Sequence, residues 1–258
     1  MSVHPSAIIH PSATIDSTAE IGPFCSIGEG VSIGARSKLM AHVYVEGPTT
    51  IGADNVFFPY STVGVAPQDL KYHGERAETS IGDRNTIREF VTIHRGTEGG
   101  GAVTSIGDDN LIQAYGHVAH DCHVGSHTIL AHGATLGGHV TVEDYAVVGA
   151  QSGVHQYCRI GGHCYIGGYS VITQDVMPFS VVVSERNAKA FSVNKVGLER
   201  RGFTPEQIQG LHRAVRLLTK AGLNTDQALA KIHEELEMDE HLERLIAFIQ
   251  GSERGVVK

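Results

Sequence analysis

The 258-residue sequence has no tryptophan, few aromatic residues and no long apolar run. Aromatic residues make up 6% of the chain, against 31 glycines, and this composition favours a repetitive β structure with many tight corners. Apolar stretches such as Val181-Val182-Val183 are far too short to span a bilayer, so we expect no stable membrane insertion. The first residues lack a basic segment followed by an apolar one, and we therefore expect no signal peptide.

Cysteine and positive charge are also scarce. The formal net charge is −8 and no basic stripe is present, which argues against binding to nucleic acid. The absence of CxxC pairs favours a reducing, cytoplasmic location. The chain has four cysteines, Cys25, Cys122, Cys158 and Cys164.

A six-residue repeat of aliphatic side chains dominates the sequence. Val, Ile or Leu recurs at every sixth position through 26 hexads, with Phe57 as the single exception. The residue two positions earlier is usually small, and all four cysteines occupy this position, which predicts that they are buried structural residues. Each hexad predicts a short strand and a corner, with the aliphatic side chain inward and glycine relieving the bend. Three hexads close one triangular coil, and stacked coils pair strand on strand about 4.8 Å apart.

Two interruptions of the repeat predict functional loops. The segments 64–80 and 94–105 separate Val63 from Ile81 by three hexads, and Ile93 from Ile106 by just over two. The first segment contains Gln68, Asp69 and Lys71, and the second contains three consecutive glycines. Long loops in a regular solenoid usually carry function or contact a partner, although a tolerated insertion is the alternative.

Helical patterns replace the repeat in the last quarter of the chain. The segment 204–207 is a capping box with proline at the first helical position. Asn224 or Thr225 is expected to cap a second helix. We therefore divide the chain into a hexapeptide-repeat β-helix over 1–190 and a small helical domain over 191–258.

Histidines are unusually frequent, and eight of the sixteen lie between residues 117 and 163. With three hexads in each coil, His120 is expected beneath Gly138 and then Gln156, and Asp121 beneath His139. One side of the coil then gathers imidazoles, a carboxylate, an amide and a glycine backbone, a set suited to general-base acyl transfer with an oxyanion site. No G-x-S-x-G elbow is present, so direct attack by an acceptor hydroxyl is favoured over a covalent acyl-enzyme.

Six segments of the sequence carry a resemblance to a known enzyme family. They are PQDLKY (67–72), IGDRNTIREFVTIHRGT (81–97), GHVAHDCHVG (116–125), ATLGGHVTV (134–142), VHQYC (154–158) and VGLERRGF (196–203). Together they resemble the UDP-N-acetylglucosamine O-acyltransferases, over nearly the whole chain. The resemblance implies a left-handed parallel β-helix, and a homotrimer with active sites between subunits. It also implies that a (R)-3-hydroxyacyl chain passes from acyl carrier protein to the sugar 3-hydroxyl, the first step of lipid A biosynthesis, without cofactor or metal.

The resemblance also implies roles for single residues. His120 matches the base that takes the proton from the sugar hydroxyl, and Asp121 matches the carboxylate that orients this base. Gly138 matches the backbone amide that holds the thioester oxyanion, and Gly168 matches the position that limits the length of the acyl chain. Positions that match contacts to the sugar, diphosphate, acyl group or nucleotide are Gln68, Asp69, Lys71, His94, His117, His139, His155, Gln156, Asn194, Arg200 and Arg201.

One stretch departs from the family's pattern, and several other interpretations stay open. SERNAKAF (184–191) stands where a Gly-Asn-x-Ala run is usual, and Val196 stands where an acidic residue is common. A zinc enzyme like the trimeric carbonic anhydrases could use His127 and His132 as ligands. An acetyl-CoA-dependent sugar acetyltransferase and a non-catalytic scaffold are further alternatives. The acceptor is either UDP-N-acetylglucosamine or its 3-amino variant.

Overall fold

The computed structural model describes residues 2–183, 192–252 and 256. The departing segment 184–191 lies outside the described residues, and so does the domain boundary predicted at residue 190. The chain divides into two compact units, Met1–Ser184 and Glu185–Lys258.

The first unit is a parallel β-helix whose short strands form three sheets, and it follows the predicted hexapeptide repeat. Sheet A contains β1 (Ser2–Val3), β4 (Glu20–Ile21), β7 (Lys38–Leu39), β10 (Val56–Phe57), β13 (Thr86–Ile87), β16 (Leu111–Ile112), β19 (Ile129–Leu130), β22 (Val147–Val148), β25 (Tyr165–Ile166) and β27 (Val181–Val182). Sheet B contains β2 (Ile8–Ile9), β5 (Ser26–Ile27), β8 (Tyr44–Val45), β11 (Thr62–Val65), β14 (Thr92–His94), β17 (His117–Val118), β20 (Thr135–Leu136), β23 (Gly153–Val154) and β26 (Val171–Ile172). Sheet C contains β3 (Thr14–Ile15), β6 (Val31–Ile33), β9 (Thr49–Ile51), β12 (Glu78–Ile81), β15 (Val103–Ile106), β18 (His123–Val124), β21 (Thr141–Val142) and β24 (Arg159–Ile160).

The aliphatic residues of the hexads form one continuous core inside the three sheets. Ile112, Leu130 and Val148 stack directly on one another in successive coils, and none of them is exposed. Burying each such side chain contributes roughly 1.5–3 kcal/mol. The four cysteines are buried and unpaired, and burial raises the pKa of all four thiols, that of Cys122 to about 12. Their predicted structural role is confirmed.

Glycine serves the corners for a different reason from the one predicted. The left-handed residue of most corners is not glycine, as at Asp121 (φ 58°), His139 (φ 62°) and Tyr157 (φ 67°). Of the glycines that directly follow the aliphatic positions, Gly64 (φ 71°) has positive φ, whereas the others, such as Gly34, do not. A Cβ at Gly34 would lie 2.6 Å from the carbonyl oxygen of Gly52 in the next coil. Glycine is needed there because stacked backbones approach closely, not because the chain bends.

The two loops interrupt two of the coils. Strand β11 ends at Val65 and β12 begins at Glu78, so residues 66–77 lie outside strands. Strand β14 ends at His94 and β15 begins at Val103, with a 3-10 helix, Glu98–Gly100, between them.

These insertions change the spacing between paired strands. Ile51 pairs with Ile81, 30 positions further on, and Ile93 pairs with Val118, 25 positions further on. Later coils keep the predicted length of three hexads, as in the pairing of Val118 with Leu136.

A ladder of buried asparagines holds the interrupted coils in register. The backbone N–H of Asn85 donates to Asn55 Oδ1 at 2.9 Å, and that of Asn110 donates to Asn85 Oδ1 at 2.9 Å. The side-chain amide of Asn85 also donates to Asn55 Oδ1 (3.0 Å) and to the Gly107 carbonyl (2.9 Å). Buried amides are satisfied in only one register, so the ladder fixes the strands where coil length varies.

Within residues 192–252 the second unit contains four helices, α1 (Lys195–Arg200), α2 (Pro205–Lys220), α3 (Thr225–Glu235) and α4 (Glu240–Gln250). The predicted capping box is confirmed, because Thr204 and Gln207 exchange side-chain to backbone hydrogen bonds. Asn224, rather than Thr225, caps α3. Helix α1 was not predicted, since a helix this short cannot show an aliphatic period. No helix within 192–252 is long and apolar enough to cross a bilayer.

Candidate active site

The predicted catalytic residues meet at the corner between sheets B and C, which we name the B–C corner. His120 and Asp121 follow strand β17 of sheet B and precede β18 of sheet C. The His139 N–H donates to the His120 carbonyl, and the Tyr157 N–H donates to the Gly138 carbonyl, both at 3.0 Å. Gly138 therefore lies over His120 and His139 over Asp121, as the spacing of three hexads predicts.

His120 and Asp121 form a hydrogen-bonded pair. The Nδ1–H of His120 donates to Asp121 Oδ2 at 2.8 Å, and the Asp121 side chain is fully buried. Because Nδ1 holds the proton, Nε2 keeps its lone pair. A Cβ on Gly138 would lie 2.7 Å from this Nε2. The free nitrogen thus faces the Gly138 backbone across a gap that no side chain could enter.

Thr97 and Thr104 hold Asp121 in place through hydrogen bonds. Neither residue was assigned a role from the sequence. The Thr97 N–H donates to Asp121 Oδ1 (2.8 Å), and its hydroxyl donates to Oδ2 (2.6 Å). The Asp121 N–H donates to Thr104 Oγ1 at 2.8 Å. Thr97 ends the IHRGT motif, which is the signal that could have identified it.

The second loop covers Asp121 with its glycines. A Cβ on Gly100 would overlap the Asp121 carboxylate, so this position tolerates no side chain. Gly101 adopts a φ of 94°, in the left-handed region that favours glycine. Close approach therefore explains the glycine at 100 and backbone conformation the glycine at 101, whereas a Cβ at Gly99 would meet no atom within 4 Å.

Three further histidines surround His120, and all three have lowered pKa values. Burial lowers the pKa of His94 to about 4, and the neighbouring His117 and His120 add to this effect. Burial likewise lowers the pKa of His117, whose Nδ1 lies 2.7 Å from Thr92 Oγ1. Burial also lowers the pKa of His139, although the Asp121 carboxylate opposes the shift. These rings are uncharged at neutral pH and can accept or donate single hydrogen bonds.

An open cleft of about 460 Å³ adjoins the B–C corner and brings three predicted binding residues together. Asp69 and Lys71 come from the first loop, where the Lys71 N–H donates to Asp69 Oδ1 at 3.0 Å. His139 comes from the corner and stacks on Tyr157 with ring centroids 4.4 Å apart. The full lining is Asp69, Lys71, Tyr72, Glu75, Thr97, Glu98, Gly99, His139 and Tyr157.

Three other predicted binding residues, His94, His155 and Gln156, lie near the same corner. His94 ends strand β14, and its ring packs edge-on against His117 with centroids 4.9 Å apart. His155 and Gln156 are exposed one coil above Gly138, and His155 Nδ1 lies 3.1 Å from the Gln156 carbonyl. Gln68 is exposed on the first loop.

Gly168 lies at a different corner from His120. It stacks over Ala150, at the corner between sheets A and B, where the Tyr169 N–H donates to the Ala150 carbonyl. A Cβ at Gly168 would lie 3.0 Å from that carbonyl oxygen. A path straight up the coils from His120 therefore does not reach Gly168 of the same chain.

The predicted nucleotide residues belong to the second unit. Asn194 caps α1 by accepting from the Gly197 N–H at 3.1 Å, and Arg201 donates to the Gly197 carbonyl at 3.0 Å. Arg200 ends the helix, and Val196 is exposed.

The histidines of the zinc-enzyme alternative do not converge within one chain. His127 stacks on Tyr145 at the corner between sheets C and A, whereas His132 contacts Tyr115 at the corner between sheets A and B. Across the described ranges, the one group of three side chains with metal-ligand spacing is His120, Asp121 and His139.

Comparison with known proteins gives consistent results. The family described as UDP N-acetylglucosamine O-acyltransferase, domain 2, matches residues 175–257, and the bacterial transferase hexapeptide family matches residues 104–138. The acyl-[acyl-carrier-protein]–UDP-N-acetylglucosamine O-acyltransferase of Xylella fastidiosa is 45% identical over 205 residues, 80% of this chain and 78% of that protein.

Solved structures agree over the full length. LpxA from Acinetobacter baumannii is 44% identical with a TM-score of 0.70, covering 99% of both chains. The UDP-N-acetylglucosamine acyltransferase of Francisella novicida is 40% identical with a TM-score of 0.71, covering 99% of this chain and 93% of that one.

Proposed function

The chain belongs to the UDP-N-acetylglucosamine O-acyltransferase family, and on that premise we propose that it carries out the first acylation of lipid A biosynthesis. A (R)-3-hydroxyacyl chain passes from acyl carrier protein to the 3-hydroxyl of UDP-N-acetylglucosamine. The observation that carries this proposal is the alignment of His120, Asp121 and Gly138 at one corner of the coil.

The chemistry follows from that alignment. His120 Nε2 takes the proton of the sugar 3-hydroxyl, and the hydroxyl oxygen attacks the thioester carbonyl carbon. Asp121 holds Nδ1–H and stabilises the imidazolium that forms. The carbon–sulfur bond then breaks, and the leaving thiolate takes the proton back from His120.

Gly138 supplies the oxyanion site. Over residues 2–183 its N–H donates to no protein acceptor, so it can donate to the carbonyl oxygen as negative charge develops there. A side chain at 138 would press against the His120 ring, so glycine leaves both the base and this N–H unobstructed.

The cleft beside the corner is proposed to hold the sugar and the diphosphate. Lys71 places a cationic group at the cleft, while Asp69 and His139 offer hydrogen-bond partners for sugar hydroxyls. His94, His117, His155, Gln156 and Gln68 are proposed contacts of the same substrate or of the acyl chain. Asn194, Arg200 and Arg201 are proposed to bind the nucleotide, because Arg suits phosphate recognition.

A cytoplasmic homotrimer of left-handed coils with shared sites is proposed, and two features of the chain support the trimer. Outward-facing residues of sheet A form a continuous apolar row: Leu111, Ile129, Val147, Tyr165 and Val181. Contiguous apolar surface of this kind marks an interaction site. Leu70, at the tip of the first loop, is 99% exposed. If a second copy of the protein places its Gly168 beside His120 of the first, Gly168 limits the length of the acyl chain bound there. Light scattering should give a mass of about three times 27.6 kDa for the trimer.

The function is tested with purified protein and three pairs of substrates. Hydroxyacyl-carrier protein with UDP-N-acetylglucosamine should give the singly acylated nucleotide in mass spectrometry, with the acyl group on the 3-oxygen by NMR. The 3-amino nucleotide with the same donor tests the acceptor, and acetyl-CoA tests the acetyltransferase alternative. Transfer from acetyl-CoA alone would refute the proposal. Activity that disappears with EDTA and returns with stoichiometric zinc would favour the zinc-enzyme alternative instead.

A further inference from the structure

We infer that His120, Asp121 and His139 form an inhibitory binding site for Zn²⁺, a transition-metal cation that switches the general base off. This inference rests on the proposed function, since it assigns regulation to the same residues. The ligand atoms of the three side chains all lie within 4.8 Å of one another.

The distances suit one small cation. Asp121 Oδ2 lies 2.8 Å from His120 Nδ1 and 3.8 Å from His139 Nε2. A tetrahedral zinc ion with bonds of about 2.0–2.2 Å requires ligand atoms separated by roughly 3.3–3.5 Å. The His120–Asp121 distance must lengthen, and the His139–Asp121 distance must shorten, by only a few tenths of an ångström to reach that spacing. The site is mostly sheltered from solvent, with 14%, 0% and 19% of the three side chains exposed.

The surroundings of these residues resemble the outer shell of a metal site. Thr97 fixes both oxygens of the Asp121 carboxylate, through its N–H at 2.8 Å and its hydroxyl at 2.6 Å. Tyr157 stacks on the His139 ring and fixes its plane. Groups that orient ligands in this way typically strengthen metal binding tenfold or more. The open cleft beside His139 leaves a fourth position for water.

The donor set favours zinc over hard cations. Two imidazole nitrogens and one carboxylate oxygen are typical of Zn²⁺ sites, whereas Mg²⁺ and Ca²⁺ prefer shells of oxygen ligands. Magnesium at equal concentration is therefore the appropriate negative control.

Zinc at this position would stop the base by changing its tautomer. The metal takes the place of the proton on His120 Nδ1, and the ring remains neutral by binding a proton at Nε2 through solvent. Nε2–H is a donor, so it can no longer accept the proton of the sugar hydroxyl. No bond of the substrate forms or breaks, and no oxidant is required.

Equilibrium dialysis of EDTA-treated protein with zinc chloride tests the binding site directly. Wild type should bind one tightly held zinc per chain, and His139→Gln should weaken that binding by about tenfold or more because a ligand is lost. His132→Gln is the matched control, since this exposed histidine lies at another corner, and it should bind zinc like wild type. Equal binding by His139→Gln and wild type, or no binding at about 100 µM zinc, would overturn the inference.

Turnover measurements then test the switch. Zinc should inhibit wild type and His132→Gln at the concentration that fills the site, EDTA should restore activity, and magnesium should have no effect. Zinc that binds through His139 without lowering turnover would overturn the switch. Dialysis measures zinc binding without any turnover, whereas the activity of the metal-free enzyme tests the proposed function. The two failures are therefore distinguishable.

Discussion

The fit of Gly138 over His120 leads to a specific expectation for Gly138→Ala. The added Cβ would lie 2.6 Å from His120 Cε1 and 2.7 Å from Nε2, about 1 Å inside the usual contact distance of roughly 3.5–4.0 Å. Residue 138 does not have positive φ, so alanine does not strain the backbone there. The imidazole must therefore move, and its 2.8 Å bond to Asp121 must lengthen.

A displacement of this size should slow the chemical step. A shift of about 1 Å in a catalytic group typically costs about 10²-fold in rate. We expect kcat to fall by about 10² to 10³, with KM for the nucleotide sugar within about threefold of wild type. The loss of folding free energy should stay within the roughly 1–3 kcal/mol typical of overpacking.

The assay is steady-state transfer from a hydroxyacyl-carrier protein, with Gly153→Ala as the control. A Cβ at Gly153 meets no atom within 4 Å, and this strand residue also does not have positive φ. Gly153→Ala should therefore retain activity within about twofold. The reasoning is refuted if Gly138→Ala also retains a transfer rate within a few-fold of wild type, or if both variants lose activity to the same extent.

Other residues give further tests of stability and specificity. The pKa of His94 is about 4 in the folded protein, below the usual 6.5. As the pH falls, this histidine therefore binds a proton in the unfolded chain before it does so in the folded one. The free energy of unfolding should fall by up to about 3 kcal/mol as pH drops from about 6.5 to 4. His94→Gln should flatten this dependence in urea titrations. Asn85→Ala should lower the free energy of unfolding by about 3 kcal/mol, because buried partners lose their hydrogen bonds; a loss below about 1 kcal/mol would contradict the ladder's role. Gly168→Met should shift preference toward shorter acyl donors, and an unchanged ranking of donors would remove its assigned role.

The sequence was sufficient to predict how the catalytic pair aligns with the next coil. After Val118 each coil again spans three hexads, so simple counting places Gly138 over His120 and His139 over Asp121. The same regularity predicted the buried aliphatic column and the buried cysteines. Repetition makes such positions predictable because each coil copies the geometry of the previous one.

Counting whole coils along the chain fails in two situations. One is a coil that changes length, and the other is a pair of residues whose separation is not a multiple of three hexads. Thr97 holds Asp121 across a spacing that is set by the second loop rather than by the repeat. Gly168 follows His120 by eight hexads, which amount to two whole coils and two further sides of the triangle. The two further sides place Gly168 at another corner of the triangle, which a straight path up the coils from His120 does not reach.

The most direct test of the central claim is the turnover of His120→Ala beside wild type, with both proteins free of metal. A general base typically contributes 10²- to 10⁴-fold, so we predict at least a 10²-fold loss of acyl transfer with an unchanged melting temperature and circular dichroism spectrum. Transfer within a few-fold of wild type by a folded His120→Ala protein would contradict the assignment of His120 as the base.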